Sequence, residues 1–290
     1  MRYATALFVA LLALRLSIVK PEDQSSAVHQ FAELEERVSG RIGVAAIDLS
    51  GNKRIEYHAD QRFLMCSTFK VLAVAAILKR VDEKKEKLDR FVRYGEAQLL
   101  EYAPVTRAHV TEGGMTLEAL CAAAVSQSDN TAANLLLEAI GGPQGWTEFA
   151  RNLGDNSSGL DRMEPELNMG APGDDRDTTA PAAMCQDLQR LLTSDVLSKE
   201  SRARLEGWMV ANETGAKMIR ASVARDWRVG DKTGRGKEAA NDIAIVRPPK
   251  GGPFFLAIYV NAPGESSEAR DNLVAEVAKI AIDALTKPNP

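Results

Sequence analysis

An apolar run from Val71 to Leu78 stands out in the middle of the chain. Its hydrophobic residues recur at helical spacing, and small or apolar residues occupy the other positions. A helix that is apolar nearly all round is usually buried. Charged residues follow the run too soon for it to cross a bilayer. The pattern therefore predicts a buried helix around which the rest of the chain is organised.

Strand-like segments lie near both ends of the chain, and helical patterns lie between them. The strand-like segments are 42–49, 54–58, 227–234, 242–246 and 254–261. Further helices are predicted at 26–38, 117–125, 131–139, 187–192, 201–210 and 267–285. This order predicts an α+β fold: one antiparallel sheet of about five strands, flanked by terminal helices and interrupted by an inserted all-α lobe.

We assign residues 28–59 and 213–290 to the predicted sheet lobe and residues 60–212 to the all-α lobe. Within the latter, residues 154–181 lose the helical pattern and are rich in Gly, Pro, Asp and Asn. Loops of this length are uncommon inside compact domains and are usually functional or disordered. This loop contains three apolar side chains that it could bury, those of Met163, Leu167 and Met169. We therefore favour an ordered functional loop.

The first 27 residues are interpreted as a secretory signal. Met1-Arg2-Tyr3 precedes an apolar segment from Ala4 to Leu14, which is the composition of such a signal. The alternative is a frayed cytosolic terminus. Export predicts a periplasmic or secreted protein with no stable membrane insertion after processing.

Composition argues against several classes of function. The chain of 290 residues has a formal net charge of −4 and no basic tract, so nothing indicates a nucleic-acid partner. Its three cysteines cannot all pair, and its three histidines are scattered without metal-ligand spacing. A Gly-x-Ser-x-Gly elbow is also missing, which argues against a Ser-His-Asp hydrolase.

Candidate chemistry begins where the buried helix begins. Ser67 and Lys70 are three residues apart, so they share one face of a helix. A hydroxyl beside an ammonium suits an activated nucleophile. The pattern alone is weak, because Ser17 and Lys20 repeat it. Two later motifs decide the matter.

Those motifs are Ser128-Asp129-Asn130 and Lys232-Thr233-Gly234. Acyl transfer needs a nucleophile, proton carriers and groups that hold the substrate. Ser67 would attack, and Lys70 and Ser128 would relay the proton to a leaving nitrogen. Lys232 and Thr233 would hold a substrate carboxylate, Asn130 would bind a substrate amide, and Gly234 would let the substrate approach the strand.

Ser-x-x-Lys, Ser-Asp-Asn and Lys-Thr-Gly in this order resemble the signature of the class A serine β-lactamases and the penicillin-binding proteins. Glu164-Pro165-Glu166-Leu167-Asn168 in the long loop is similar to the Glu-x-x-Leu-Asn motif of class A. This resemblance implies that Glu164 and Asn168 hold the hydrolytic water. It also implies an Arg162–Asp177 ion pair, a cis peptide before Pro165 and a solvated Glu166.

The resemblance implies several further site residues. Tyr102 would line the cleft, with packing inside the helical lobe as the alternative. The backbone N–H groups of Ser67 and Arg235 would form the oxyanion hole. Many members of the family hold the substrate carboxylate with an arginine, but Met218 and Asn241-Asp242 occupy those places here. Arg235 and Arg270 are the candidate substitutes.

The cysteines also depart from the family. Some members of the family pair a cysteine at the place of Cys66 with a second cysteine where Gly236 stands here. Others pair a cysteine at the place of Cys121 with one where Val74 stands here. We therefore expect Cys66, Cys121 and Cys185 to be free thiols. Arg220 is expected to be structural.

The resemblance implies a monomeric class A β-lactamase that hydrolyses penicillins or cephalosporins, with no metal and no organic cofactor. Whether Lys70 or Glu164 is the base in acylation stays open. A D,D-peptidase and a β-lactam sensor that is acylated without turnover are the alternatives. Neither needs a water site at Glu164 and Asn168.

Overall fold

The computed structural model of the chain describes residues 21–51, 53–171 and 173–287. The predicted signal segment lies mostly outside the described residues. Its last part, from Pro21, already belongs to the first helix, α1 (Pro21–Val38). None of the described helices combines the length and the hydropathy needed to span a bilayer.

A five-stranded antiparallel sheet forms the centre of one lobe, as predicted. Its strands are β1 (Arg41–Asp48), β2 (Lys53–Tyr57), β7 (Arg228–Arg235), β8 (Ala239–Arg247) and β9 (Phe254–Asn261). Their order across the sheet is β2-β1-β9-β8-β7. The first two strands thus join the last three through the pairing of β1 with β9. Strand β7, which carries the Lys-Thr-Gly motif, lies at one edge.

Both faces of the sheet are covered, so four strands are buried almost throughout, and only the edge strand β2 is partly exposed. Alternate residues such as Val44 and Ile258 face α1 and α8 (Ser267–Thr286), where they pack with Phe31. The intervening residues, among them Phe255 and Tyr259, face the helical part of the chain. Burying one side chain of this size contributes about 1.5–3 kcal/mol. Two apolar faces explain why these strands lack a clear polar alternation.

The apolar run forms α2 (Lys70–Asp82), which contacts four other helices. These are α3 (Leu117–Ser126), α4 (Asn130–Ile140), α5 (Gly142–Asn152) and α7 (Lys199–Val210). Every residue of α2 from Lys70 to Leu78 is buried. The prediction of a buried central helix is confirmed.

Two features of the helical part were not predicted. Sequence analysis missed α5, because its Gly and Pro residues are not typical of a helix. Two of its residues, Trp146 and Ala150, lie one turn apart and are buried. The Trp146 Nε1–H donates to the carbonyl of Phe69 at 2.9 Å and so ties α5 to the start of α2. The other is the position of α6 (Pro181–Thr193), which packs on the sheet strands β1 and β9.

The long loop has defined structure over its described residues, 154–171 and 173–181. It contains a short 3₁₀ helix, Glu166–Asn168, and a two-residue strand β6 (Thr178–Thr179) that pairs with β3 (Phe63–Leu64). The expected ion pair is present, with Arg162 Nε 2.5 Å from Asp177 Oδ2. The peptide bond between Glu164 and Pro165 is cis, as expected. Two further short strands, β4 (Phe91–Arg93) and β5 (Gly114–Thr116), pair with each other.

Candidate active site

Ser67 lies in a short 3₁₀ helix, Cys66–Phe69, that leads directly into α2. Cys66 has a φ of +45°, which turns the chain sharply just before the serine. The side chain of Asn241 on β8 donates to the carbonyls of Leu64 at 2.8 Å and Met65 at 3.2 Å. Residues 64–67, which we call the nucleophile turn, are therefore fixed to the sheet.

Lys70 is fully buried and contacts both the Ser-Asp-Asn motif and Glu164. Its Nζ is 2.6 Å from Asn130 Oδ1, 2.8 Å from the Ser128 carbonyl and 3.1 Å from Glu164 Oε1. Burial lowers the pKa of the Lys70 ammonium, and the Glu164 carboxylate opposes that shift. A buried lysine with a lowered pKa can both give up and accept a proton.

Ser128-Asp129-Asn130 joins α3 to α4, with Ser128 at a φ of +59°. Asp129 is fully buried and caps α4 by accepting from the backbone N–H of Ala132 at 2.8 Å. It also accepts from the backbone N–H of Thr106 at 2.8 Å. Asp129 thus holds two loops together and leaves its neighbours in the motif free to face the cleft.

Lys232 on β7 is the second buried ammonium of the site. Its Nζ donates to Ser128 Oγ at 2.9 Å and to the carbonyl of Thr233 at 2.8 Å. Burial, followed by repulsion from the Lys70 ammonium, lowers its pKa well below the ordinary value. The Ser128 hydroxyl lies between the two ammonium groups, since Lys70 Nζ is 3.4 Å away from it.

Glu164 comes from the ordered loop and is only 2% exposed. Its Oε1 is 3.4 Å from Ser67 Oγ, and its Oε2 accepts from Asn168 Nδ2 at 2.5 Å. Asn134 on α4 fixes the backbone of Glu164 in both directions, because its amide accepts from the N–H and donates to the carbonyl, each at 2.9 Å. Asn134 was missed, although it lies one turn after Asn130 on the same helix face.

These groups open onto a cleft with a volume of about 320 Å³. The residues that line it are Ser67, Tyr102, Ser128, Asn130, Asn168, Thr214, Thr233 and Arg235. Tyr102 lies half exposed on the rim and is not packed inside the helical lobe. Thr214 was not predicted. Its hydroxyl is 2.5 Å from that of Thr233, and no motif marks it.

Gly234 allows β7 to approach the nucleophile turn closely. A Cβ atom at this position would lie 2.7 Å from the carbonyl oxygen of Met65 and 3.2 Å from the backbone nitrogen of Ser67. Only a residue without a side chain fits against that backbone. The end of β7, where Arg235 follows, is thereby brought to the serine.

The expectation that Arg270 faces the cleft is wrong. Arg270 lies on α8, is 8% exposed and donates to the carbonyl of Glu265 at 2.7 Å. Arg235 does line the cleft. Arg220 is held within the fold by Asp231, with Nε 2.5 Å from Oδ1, and by two backbone carbonyls.

The three cysteines are buried free thiols, as expected. Burial raises the pKa of each thiol. The described residues contain no group of three or more His, Cys, Asp or Glu side chains arranged to hold a metal ion.

Comparison with known proteins places the chain in a family. The model of the β-lactamase enzyme family matches residues 26–285. β-Lactamase CTX-M-8 of Citrobacter amalonaticus is 45% identical over 262 residues, which is 90% of each chain. β-Lactamase AST-1 of Nocardia asteroides is 44% identical over 257 residues, 88% of this chain and 83% of the relative.

Solved structures agree with these matches. The class A β-lactamase of the last common ancestor of Gram-negative bacteria aligns with a TM-score of 0.88 and 52% identity, covering 90% of this chain and 99% of that one. The putative class A β-lactamase PenP from Rhodopseudomonas palustris aligns with a TM-score of 0.87 and 46% identity, covering 89% of this chain and 99% of that one. The chain belongs to the class A β-lactamases, which are enzymes.

Proposed function

We propose that the enzyme hydrolyses the β-lactam amide of penicillins or cephalosporins through an acyl-serine intermediate. The observation that carries the proposal is the position of Glu164, whose carboxylate lies 3.4 Å from Ser67 Oγ and is oriented by Asn168. A peptidase or sensor that stops at the acyl-serine has no need of a carboxylate there. The relatives reported above are named β-lactamases, which favours hydrolysis over both the peptidase and the sensor.

Acylation begins when Ser67 Oγ attacks the β-lactam carbonyl. The serine proton passes to Glu164 Oε1 or to a neutral Lys70, both of which belong to one buried proton network. The backbone N–H groups of Ser67 and Arg235 stabilise the oxyanion, and one such donor is worth on the order of a hundredfold in rate. When the C–N bond breaks, Ser128 gives its proton to the ring nitrogen and regains one through Lys70 or Lys232.

Deacylation uses the other side of the acyl-serine. Glu164 takes a proton from a water molecule, whose oxygen attacks the ester carbonyl. As the ester bond breaks, Glu164 gives this proton to Ser67 Oγ, which restores both groups. The buried Oδ1 of Asn168 has no hydrogen-bond partner among the described residues. A buried polar atom of this kind calls for a partner. Asn168 can therefore accept a hydrogen bond from the attacking water while its amide orients Glu164.

The cleft supplies the groups that bind the substrate. Lys232, Thr233 and Arg235 face the substrate carboxylate, and Asn130 binds the side-chain amide. Tyr102 covers the ring from the rim, where it is half exposed. The partner implied is therefore a small anionic β-lactam. Monomeric action and the lack of a nucleic-acid partner stay predictions from the sequence, as does export to the periplasm or medium.

The test is the time course with a chromogenic cephalosporin in excess over enzyme. Hydrolysis of many equivalents at a constant rate is the expected result, and Ser67→Ala serves as the control that removes the nucleophile. Release of one equivalent followed by no further reaction would identify a sensor and refute the proposal.

A further inference from the structure

Arg235, the last residue of β7, is held by a carboxylate that no motif marks. Its Nε is 3.2 Å from Asp271 Oδ1, and its Nη2 is 2.7 Å from Asp271 Oδ2. Two parallel N–H···O bonds fix both the position and the plane of a guanidinium. The Asp271 side chain is only 9% exposed, whereas that of Arg235 is 36% exposed and reaches the cleft.

The remaining donors of Arg235 point to its role. Nη2 also donates to the carbonyl of Thr214 at 3.3 Å. Asp271 and Thr214 thus occupy Nε and Nη2, and Nη1 has no partner among the described residues. A guanidinium carries five N–H donors in a rigid plane. Two of them, on Nη1, are therefore fixed in direction and available to a ligand.

The surroundings indicate an anionic ligand group, which in the proposed function is the substrate carboxylate. Thr233, which follows the buried Lys232, lines the same cleft as Arg235. The other arginine considered for this task, Arg270, is buried and bonded to a backbone carbonyl. Arg235 is thus the guanidinium that the described structure presents to a substrate anion.

We propose that Asp271 is a positioning residue, which holds the Arg235 guanidinium in the orientation that binds the substrate carboxylate. This inference rests on the proposed function. If Asp271 had a purely neutralising role, its removal would change substrate binding in the opposite direction to that expected for a positioning residue. If Asp271 only cancelled the charge of Arg235, its removal would make the cleft more positive and would improve binding of an anion. If Asp271 orients Arg235, its removal frees the side chain to rotate and weakens binding.

The experiment compares the free acid of a chromogenic cephalosporin with its C4 methyl ester. For Asp271→Ala, we expect KM for the free acid to rise about tenfold, which is the effect of one lost charge-assisted hydrogen bond, while kcat changes little. KM for the ester should not change, because it offers no carboxylate. Asp271→Asn keeps one acceptor oxygen and should fall between the parent and the alanine variant.

Two controls isolate the Asp271–Arg235 pair. Glu268→Ala removes an exposed carboxylate from the same helix, where it pairs with Lys217 at 2.8 Å, and should leave both KM values unchanged. Arg235→Ala should raise KM for the acid, and adding Asp271→Ala to it should have no further effect, because the two residues act as one unit. Thermal melting confirms that each variant is folded.

An unchanged or lowered KM for the acid in Asp271→Ala would overturn the inference. An equal rise for acid and ester would also overturn it, since that result indicates a general structural effect. Turnover by the parent enzyme tests the proposed function separately. If the parent were acylated without turnover, the same acid-to-ester ratio would be read from second-order acylation rates, so the test of Asp271 would still stand.

Discussion

The Arg162–Asp177 pair should decide whether the loop that carries Glu164 stays in place. The Asp177 carboxylate is fully buried and accepts from the backbone N–H of Asp161 at 2.8 Å and of Arg162 at 2.9 Å, besides the guanidinium at 2.5 Å. Asp177→Ala leaves two N–H groups and a largely buried guanidinium without their acceptor.

The size of the effect follows from these contacts. Each orphaned N–H costs about 1–3 kcal/mol, and removing one partner of a buried ion pair costs about 3–5 kcal/mol. Because Arg162 is 20% exposed and can turn toward water, it escapes most of the ion-pair cost. We therefore expect a total of about 3–5 kcal/mol, which comes mainly from the two N–H groups. The cost falls on the loop, so local opening should precede global unfolding.

Hydrogen exchange read by mass spectrometry measures this opening. Amides between residues 161 and 177 should exchange at least about a hundredfold faster in Asp177→Ala, as the estimated free energy requires. The matched control is Asp175→Ala, which removes a 75% exposed carboxylate from the same loop and should exchange like the parent. Deacylation should slow while Ser67 remains reactive. Loop amides that stay as protected as in the parent would refute this reasoning.

Two further predictions concern the thiol and a buried acid. A Cβ at Gly236 would lie 3.1 Å from Cys66 Sγ, so Gly236→Cys should form a disulfide under oxidising conditions; thiol titration of the denatured protein should give two free thiols in place of the parent's three, and a count of four would contradict the geometry. Burial, then the adjacent Asp155, raises the pKa of Asp187 to about 9. The folded state therefore binds a proton that the unfolded state releases near pH 4, so stability falls as pH rises from about 4 to 9. Asp187→Asn should flatten that decline in Tm, and an equal decline would refute the assignment.

Much of the fold could be predicted because its patterns are local. The run that forms α2 is apolar on every face, and turn residues separate the sheet strands. One exception, α5, is a local conflict, because Gly142, Pro143 and Gly145 are poor helix residues. Tertiary contacts through Trp146 stabilise this helix, and such contacts cannot be seen in a single-sequence pattern.

The site was predictable where a motif fixes a residue near its neighbours in sequence. Arg270 failed for a geometric reason. It and Asp271 are consecutive on α8, so their side chains point about 100° apart around the axis. Only the packing of α8 on the sheet determines that Asp271 contacts Arg235 at the cleft, whereas Arg270 bonds a backbone carbonyl. Thr214 and Asn134 were missed because their contacts connect distant segments.

The most direct test of the mechanism is intact-protein mass spectrometry of Glu164→Ala after mixing with a penicillin. Removing the carboxylate takes away the base for deacylation but leaves Ser67, Lys70 and Ser128 in place. We expect a stable penicilloyl adduct on Ser67 in the variant, at a time when the parent carries none. An adduct that the variant clears as quickly as the parent would show that Glu164 does not activate the hydrolytic water.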